Sequence, residues 1–249
     1  MKTTTSSSTS TPKPTILIVD DQIDNVQVLA LFLETQNYSV TYALNAQDTL
    51  NRLRAMRPDL ILLDLFMPDI NGLELCQLIK AEPSHQDIPI IFLTASHDEQ
   101  HLIDAFDQGA ADYMTKPFNT KEVLARVTTH IKLRQQTVEL RQATEKLDAI
   151  VTHVQDGLLV IDQEGMIQFA NPAAACMFQQ PLEQLVGHNL GQPIVEKNLA
   201  QLDILRLNGK TGTAEITVAQ AKWNDLPASI VCLRDISDRC GPQTKTIKD

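Results

Sequence analysis

TILIVDD, residues 15–21, is an unbroken apolar run that ends in two carboxylates. Its Ile, Leu and Val side chains do not alternate with polar ones, which is the pattern of a strand covered on both faces of a sheet. The same texture returns in DLILLDLF (59–66) and IPIIFLTA (88–95), with shorter runs at SVTYA (39–43) and DYMTKPF (112–118). Helical spacing fills the gaps: NVQVLALFLETQ (25–36), AQDTLNRLRAM (46–56), GLELCQLIK (72–80), EQHLIDAFDQG (99–109) and a fifth segment starting near Asn119. Five such βα units predict an α/β fold, a doubly wound five-stranded parallel sheet with helices on both sides. Ligands of these sheets bind at the carboxyl ends of the strands.

At 249 residues the chain has room for two modest domains, since one domain takes roughly 150. Its 43% hydrophobic and 21% charged residues are ordinary for a globular protein and exclude disorder throughout. The net charge is −10, and residues 15–135 account for most of it with 9 basic and 17 acidic groups, so a nucleic-acid partner is not expected. No apolar run approaches the roughly 18 residues needed to cross a bilayer, and the Ser/Thr/Pro-rich start (1–13) lacks the apolar core of a secretory signal. A cytoplasmic protein without membrane contact and with a disordered N-terminal tail is expected. Cys76, Cys176, Cys232 and Cys240 stand far apart with no CxxC, which indicates reduced thiols rather than a zinc or redox site.

The fifth helix is predicted to outrun its domain. Leu133, Gln136, Leu140, Ala143, Leu147, Ile150 and Val154 recur in steps of three and four, and no Gly or Pro interrupts residues 119–155. Either two chains pair along this stripe in a short parallel coiled coil, or one helix lays it on its own domain. After Asp156-Gly157 the spacing becomes that of hairpins: LLVIDQEGMIQFAN (158–171) turns at a glycine, and TGTAEITVAQAKWNDLPASIVCLRD (211–235) turns at Asn224-Asp225. PAAACMF and PLEQLVG between them are helical, the first capped by Asn171 with Pro172 in its first turn. These segments predict a small α+β domain with an antiparallel sheet. The expected divisions are a tail at 1–13, the α/β domain at 14–135, a helical linker at 136–153, the α+β domain at 154–239 and a tail at 240–249.

Strand ends converge on one chemistry. Asp20 and Asp21 follow the first strand, and Asp64 closes the apolar part of the third. Three carboxylates at neighbouring strand ends raise one another's pKa and stay ionised only with a cation among them. A few hard oxygen ligands suit Mg²⁺ better than zinc. Thr94 ends the fourth strand and Lys116-Pro117 follows the fifth, so a hydroxyl and an ammonium face the same edge. Metal, hydroxyl and ammonium around a carboxylate suit a phosphoryl group in transfer.

ILIVDDQ, LLDLFMPDINGLEL, IIFLTA and GAADYMTKPF together resemble the receiver domain of bacterial two-component response regulators, over about residues 14–135. The resemblance implies that Asp64 is the phosphoacceptor, that Asp20, Asp21, Asp64 and the backbone carbonyl of Phe66 bind Mg²⁺, and that Lys116 pairs with the phosphoryl oxygens. Thr94 and Tyr113 stand at the family's switch positions, Lys116-Pro117 at its cis peptide, Gly72 at a turn, and Phe66 and Ser96 where access of water is tuned. Ala95 leaves room for the phosphate, and Gly109 ends the fourth helix.

The stretch from about 148 to 239 resembles a PAS domain, through DGLLVID, the Asn171-Pro172 helix start, Gly187 and the closing LRDIS. It is similar to an abbreviated one, with a short connection at 188–200, which favours a dimerisation or interaction module over a ligand sensor. His153 lacks the neighbours of a kinase's phosphoaccepting histidine, and His97 and His101 lack a third metal ligand. The expectation is a phosphorelay response regulator that is not an enzyme in the usual sense and has no DNA-binding output domain. Its partners would be a sensor histidine kinase or phosphotransfer protein, and a second copy joined through the face of the fourth and fifth helices, the linker and the PAS domain. Two alternatives stay open: the sensing front of a larger hybrid kinase or cyclase, and a small-molecule sensor that the receiver modulates.

Overall fold

The computed structural model describes residues 13–68, 70–95, 106, 108–189, 200–205 and 211–237, with the backbone alone at 200–205 and 211. The fourth predicted helix, apart from Phe106, Gln108 and Gly109, lies outside the described residues, as do Ser96, His97, His101, most of the 188–200 connection, Cys240 and both tails. The chain divides into two compact units between Leu140 and Arg141.

The first unit follows the predicted alternation. Its elements are β1 (Thr15–Val19), α1 (Ile23–Thr35), β2 (Ser39–Ala43), α2 (Ala46–Ala55), β3 (Leu60–Asp64), α3 (Gly72–Ala81), β4 (Ile90–Thr94) and β5 (Asp112–Thr115). All pairings are parallel, and the strand order is β2-β1-β3-β4-β5. Alternate residues of each central strand serve opposite cores. Leu17, Val19, Ile61 and Leu63 pack with Leu53, Leu75 and Ile79 of α2 and α3. Ile16, Ile18, Leu60 and Leu62 pack with Val26, Leu29 and Leu33 of α1. Both faces are therefore buried, which is why these strands are apolar at every position.

The long helix α4 (Thr120–His153) begins by completing the second of these cores with Val123, Val127 and Ile131. Arg134 closes its docked part: the guanidinium donates to Pro58 O at 2.7 Å and lies 3.3 Å from an Asp59 carboxylate oxygen. Every residue from 135 to 150 is then exposed. Leu140, Leu147 and Ile150 are 70%, 63% and 61% exposed, so the stripe is not laid on its own domain, and that alternative fails.

The second unit contains β6 (Gly157–Asp162), β7 (Ile167–Ala170), α5 (Pro172–Phe178), α6 (Leu182–Leu185), β8 (Ala200–Leu205), β9 (Thr211–Trp223) and β10 (Leu226–Asp235). Its antiparallel sheet runs β7-β6-β10-β9-β8. The β9–β10 hairpin turns at Asn224 and Asp225, whose φ angles of 50° and 63° give the double left-handed geometry that the dipeptide predicts. Leu159, Ile161, Ile167, Ala214, Ile216, Val231 and Leu233 form one core with Ala174 and Leu185 of α5 and α6. Asn171 is fully buried and spans the unit's start. Its side-chain oxygen accepts from the N–H groups of Leu158 and Ala174, and its amide donates to the carbonyls of Val151 and Asp156.

Candidate functional site

Strand order decides which side chains meet. β3 lies between β1 and β4, and β5 follows β4, so the residues ending these four strands share the carboxyl edge of the sheet. Asp20 and Asp64 are buried and Asp21 is half-buried. One oxygen from each of the three carboxylates lies within 4.8 Å of the others. Lys116 enters from β5 and sets its Nζ 2.8 Å from Asp20 and 2.8 Å from Asp64. The Lys116-Pro117 bond is cis, as the resemblance implies. In the structure the ammonium spans two carboxylates, rather than waiting unpaired for an incoming anion.

Each group is held by its surroundings. Asp20 accepts from Gln22 N–H at 2.8 Å, and the Asn25 side-chain amide stands 3.1 Å from both of its oxygens. Asn25, in the first turn of α1, was not singled out in the sequence; an amide one helical turn beyond a site carboxylate is the signal that marks it. Asp64 accepts from Phe66 N–H at 3.3 Å. Burial pushes the Asp64 carboxyl above its ordinary range; the hydrogen bond and charge of Lys116 oppose that push, and Asp20 adds to it. Burial lowers the Lys116 ammonium, but its hydrogen bonds to Asp20 and Asp64 outweigh burial and leave its pKa raised.

Thr94 is buried at the end of β4, and its carbonyl accepts from Lys116 N–H at 2.8 Å. Tyr113 lies on β5 opposite Phe92. Its ring meets Phe106 edge-on at 6.0 Å, and the Arg126 guanidinium stands 5.8 Å from its centroid. Arg126 in turn binds Asp112, which also accepts from Tyr113 N–H and pairs with His130. Asp112, Arg126 and His130 thus tie Tyr113 to α4, a link that residue spacing did not reveal.

The acidic cluster fits a divalent cation. Among the described residues Asp21 Oδ1 is buried without a hydrogen-bond partner, and the donor set is all carboxylate oxygen, which hard cations prefer. Such an arrangement can neutralise an anion at Asp64 from two sides.

The family model described as "Response regulator receiver domain" matches residues 16–128. These residues form a response regulator receiver domain. A second model, the PAS fold, matches residues 145–219, so the receiver is followed by a PAS domain. The curated response regulator ArlR of Staphylococcus aureus is 40% identical over 121 residues, which cover 49% of this chain and 54% of that protein. This chain thus spans about half the length of the curated relatives it matches. A solved two-component response regulator from Clostridium difficile is 30% identical, with 48% of this chain and 97% of that chain covered and a TM-score of 0.46. NtrX from Brucella abortus, 22% identical with a TM-score of 0.50, shares the fold over 53% of this chain and 29% of its own. Among the described residues no helix is long and apolar enough to cross a membrane.

Proposed function

We propose that the chain is a response regulator of a phosphorelay, taking a phosphoryl group on Asp64 from the phosphohistidine of a sensor kinase or phosphotransfer protein. The observation that carries this reading is Lys116 Nζ held 2.8 Å from both Asp20 and Asp64, with Asp21 in the same cluster. A carboxylate oxygen of Asp64 attacks phosphorus; the O–P bond forms, the P–N bond to the imidazole breaks, and the electron pair leaves on the imidazole nitrogen. Burial makes the Asp64 carboxylate more basic, and Lys116 keeps it ionised for the attack. As the phosphoryl group arrives, Lys116 pairs with one of its oxygens and Thr94 donates its hydroxyl to another. Asp20, Asp21, Asp64 and the Phe66 carbonyl are the ligands we assign to Mg²⁺, which when bound supplies positive charge to the equatorial oxygens. Water later attacks the same phosphorus, the bond between the Asp64 oxygen and phosphorus breaks, inorganic phosphate leaves and the carboxylate is restored, so the chain acts catalytically only on itself.

The phosphoryl group is read out as shape. Thr94 turns toward it, Tyr113 follows, and the Arg126–Asp112–His130 contacts pass the change to α4. The exposed stripe beyond Arg134 supports transmission along that helix between two copies of the chain to their PAS domains.

Incubating the chain with Mg²⁺ and labelled acetyl phosphate tests the central step. The native chain takes up one phosphate, Asp64→Asn takes up none, and chelation of Mg²⁺ prevents the label. An unlabelled native chain, or a fully labelled Asp64→Asn variant, would overturn the assignment.

A further inference from the structure

A cleft of about 200 Å³ opens at one end of the second unit's sheet, between the β6–β7 turn and the β9–β10 hairpin. The turn and β7 contribute Asp162, Glu164 and Gln168, and the hairpin contributes Trp223, Leu226 and Pro227. Ala228, the register partner of Asp162, joins the two sides. None of these residues belongs to the core of the unit, so the cleft is separate from its interior.

Its chemistry favours a cation. The lining carries two acidic residues and no basic one. Lys222 precedes Trp223 on β9 and, because side chains alternate along a strand, projects from the opposite face. Trp223 is 37% exposed, and Phe169, which does not line the cleft, stands against its indole with ring centroids 5.8 Å apart and planes at 41°. The face of an indole is electron-rich, so a braced indole beside carboxylates attracts positive charge.

The hydrogen bonds decide which cation. Asp162 Oδ1 accepts from the N–H groups of Glu164 and Met166 at 3.1 and 2.8 Å, and Oδ2 accepts from the Gln168 amide at 2.7 Å. This carboxylate therefore offers charge while its oxygens are already engaged. A metal ion needs oxygen lone pairs, and a primary ammonium needs acceptors for three N–H groups, so both gain little there. A quaternary ammonium donates no hydrogen bond, and its methyl groups pack on the indole, Leu226 and Pro227. The cleft is smaller than the roughly 300 to 1,000 Å³ that enclose a whole drug-sized ligand, which suits a headgroup.

We propose that this cleft binds a small quaternary ammonium group, held by Trp223 and by the charges of Asp162 and Glu164. The site is independent of Asp64 and of the phosphotransfer reading.

Trp223 is the only tryptophan of the chain, so its fluorescence reports the cleft directly. The full chain is titrated with tetramethylammonium chloride, with ammonium chloride in a parallel series and NaCl holding ionic strength constant. Tetramethylammonium gives a saturable change at millimolar concentration, and ammonium binds several-fold more weakly. Saturation-transfer NMR on the methyl signal measures the variants, with circular dichroism to establish their fold. Trp223→Leu weakens binding roughly tenfold, the scale of a cation on an indole. Asp162→Asn keeps an oxygen for the two N–H groups but removes the charge, and weakens binding roughly threefold. Choline and a trimethyllysine peptide then separate the two sources of such a group: tighter choline assigns a free solute, and a tighter peptide assigns a methylated side chain. The site is overturned if no saturable change occurs, if ammonium binds as tightly as tetramethylammonium, or if both variants bind with native affinity.

Discussion

Gly72 is where one residue constrains the site most tightly. A Cβ added there would stand 2.3 Å from the carbonyl oxygen of Asp64 and 2.9 Å from the Cα of Leu65. Both are backbone atoms of the strand end that carries Asp64, so neither can swing aside. Gly72→Ala is expected to push the end of β3 out of line, costing about 2 kcal/mol of stability and lowering label uptake on Asp64 several-fold. Urea unfolding and acetyl phosphate labelling check both effects; native uptake would mean that the loop absorbs the clash. The sequence marked Gly72 as a turn glycine, but the reason it must be glycine is a close approach across the β3–α3 loop. Asp20, Asp21, Asp64 and Lys116 were legible because strand-end position is a local property of the pattern. Asn25 was not, because its role depends on how the first turn of α1 leans over Asp20.

At the scale of elements, β5 and α4 are joined by the Asp112 carboxylate. Burial works to raise its pKa, but hydrogen bonds from Arg126, His130 and Tyr113 N–H outweigh burial and hold it below the ordinary 3.8. A carboxylate depressed in the folded state contributes stability at pH values above its unfolded pKa, and that contribution is lost as pH falls through the folded pKa. The receiver should therefore weaken as pH drops below about 4, and Asp112→Asn should make that decline shallower. Urea midpoints at pH 6 and pH 3 measure it, and equal losses in both proteins would show that the network does not stabilise the fold. The length of α4 was readable from its uninterrupted spacing. Its division at Arg134 was not, because the Pro58 and Asp59 partners come from a loop about 75 residues away in the chain.

For the whole molecule, two units with separate cores predict two unfolding transitions. The only tryptophan, Trp223, belongs to the second unit, so its fluorescence follows the PAS domain while circular dichroism follows both. Asn171→Ala removes a helix cap and leaves buried backbone groups unpaired, a loss of about 2–4 kcal/mol. It should shift the fluorescence transition to lower urea and leave the receiver's share of the circular dichroism change in place; one common shifted transition would mean that the units unfold together. Much of this organisation was present in the sequence alone. Continuous apolar strands announced a sheet covered on both faces, hairpin spacing announced an antiparallel one, and an unbroken stretch between them announced a helix. Those are local patterns, set by backbone period and by the residues that start and stop each element. Only the tertiary structure decided the order β2-β1-β3-β4-β5, which brings Lys116 across to Asp20 and Asp64, residues distant in the chain. It alone also decided that residues 135–150 of α4 are exposed, because burial is a property of what surrounds a side chain and not of the side chain itself.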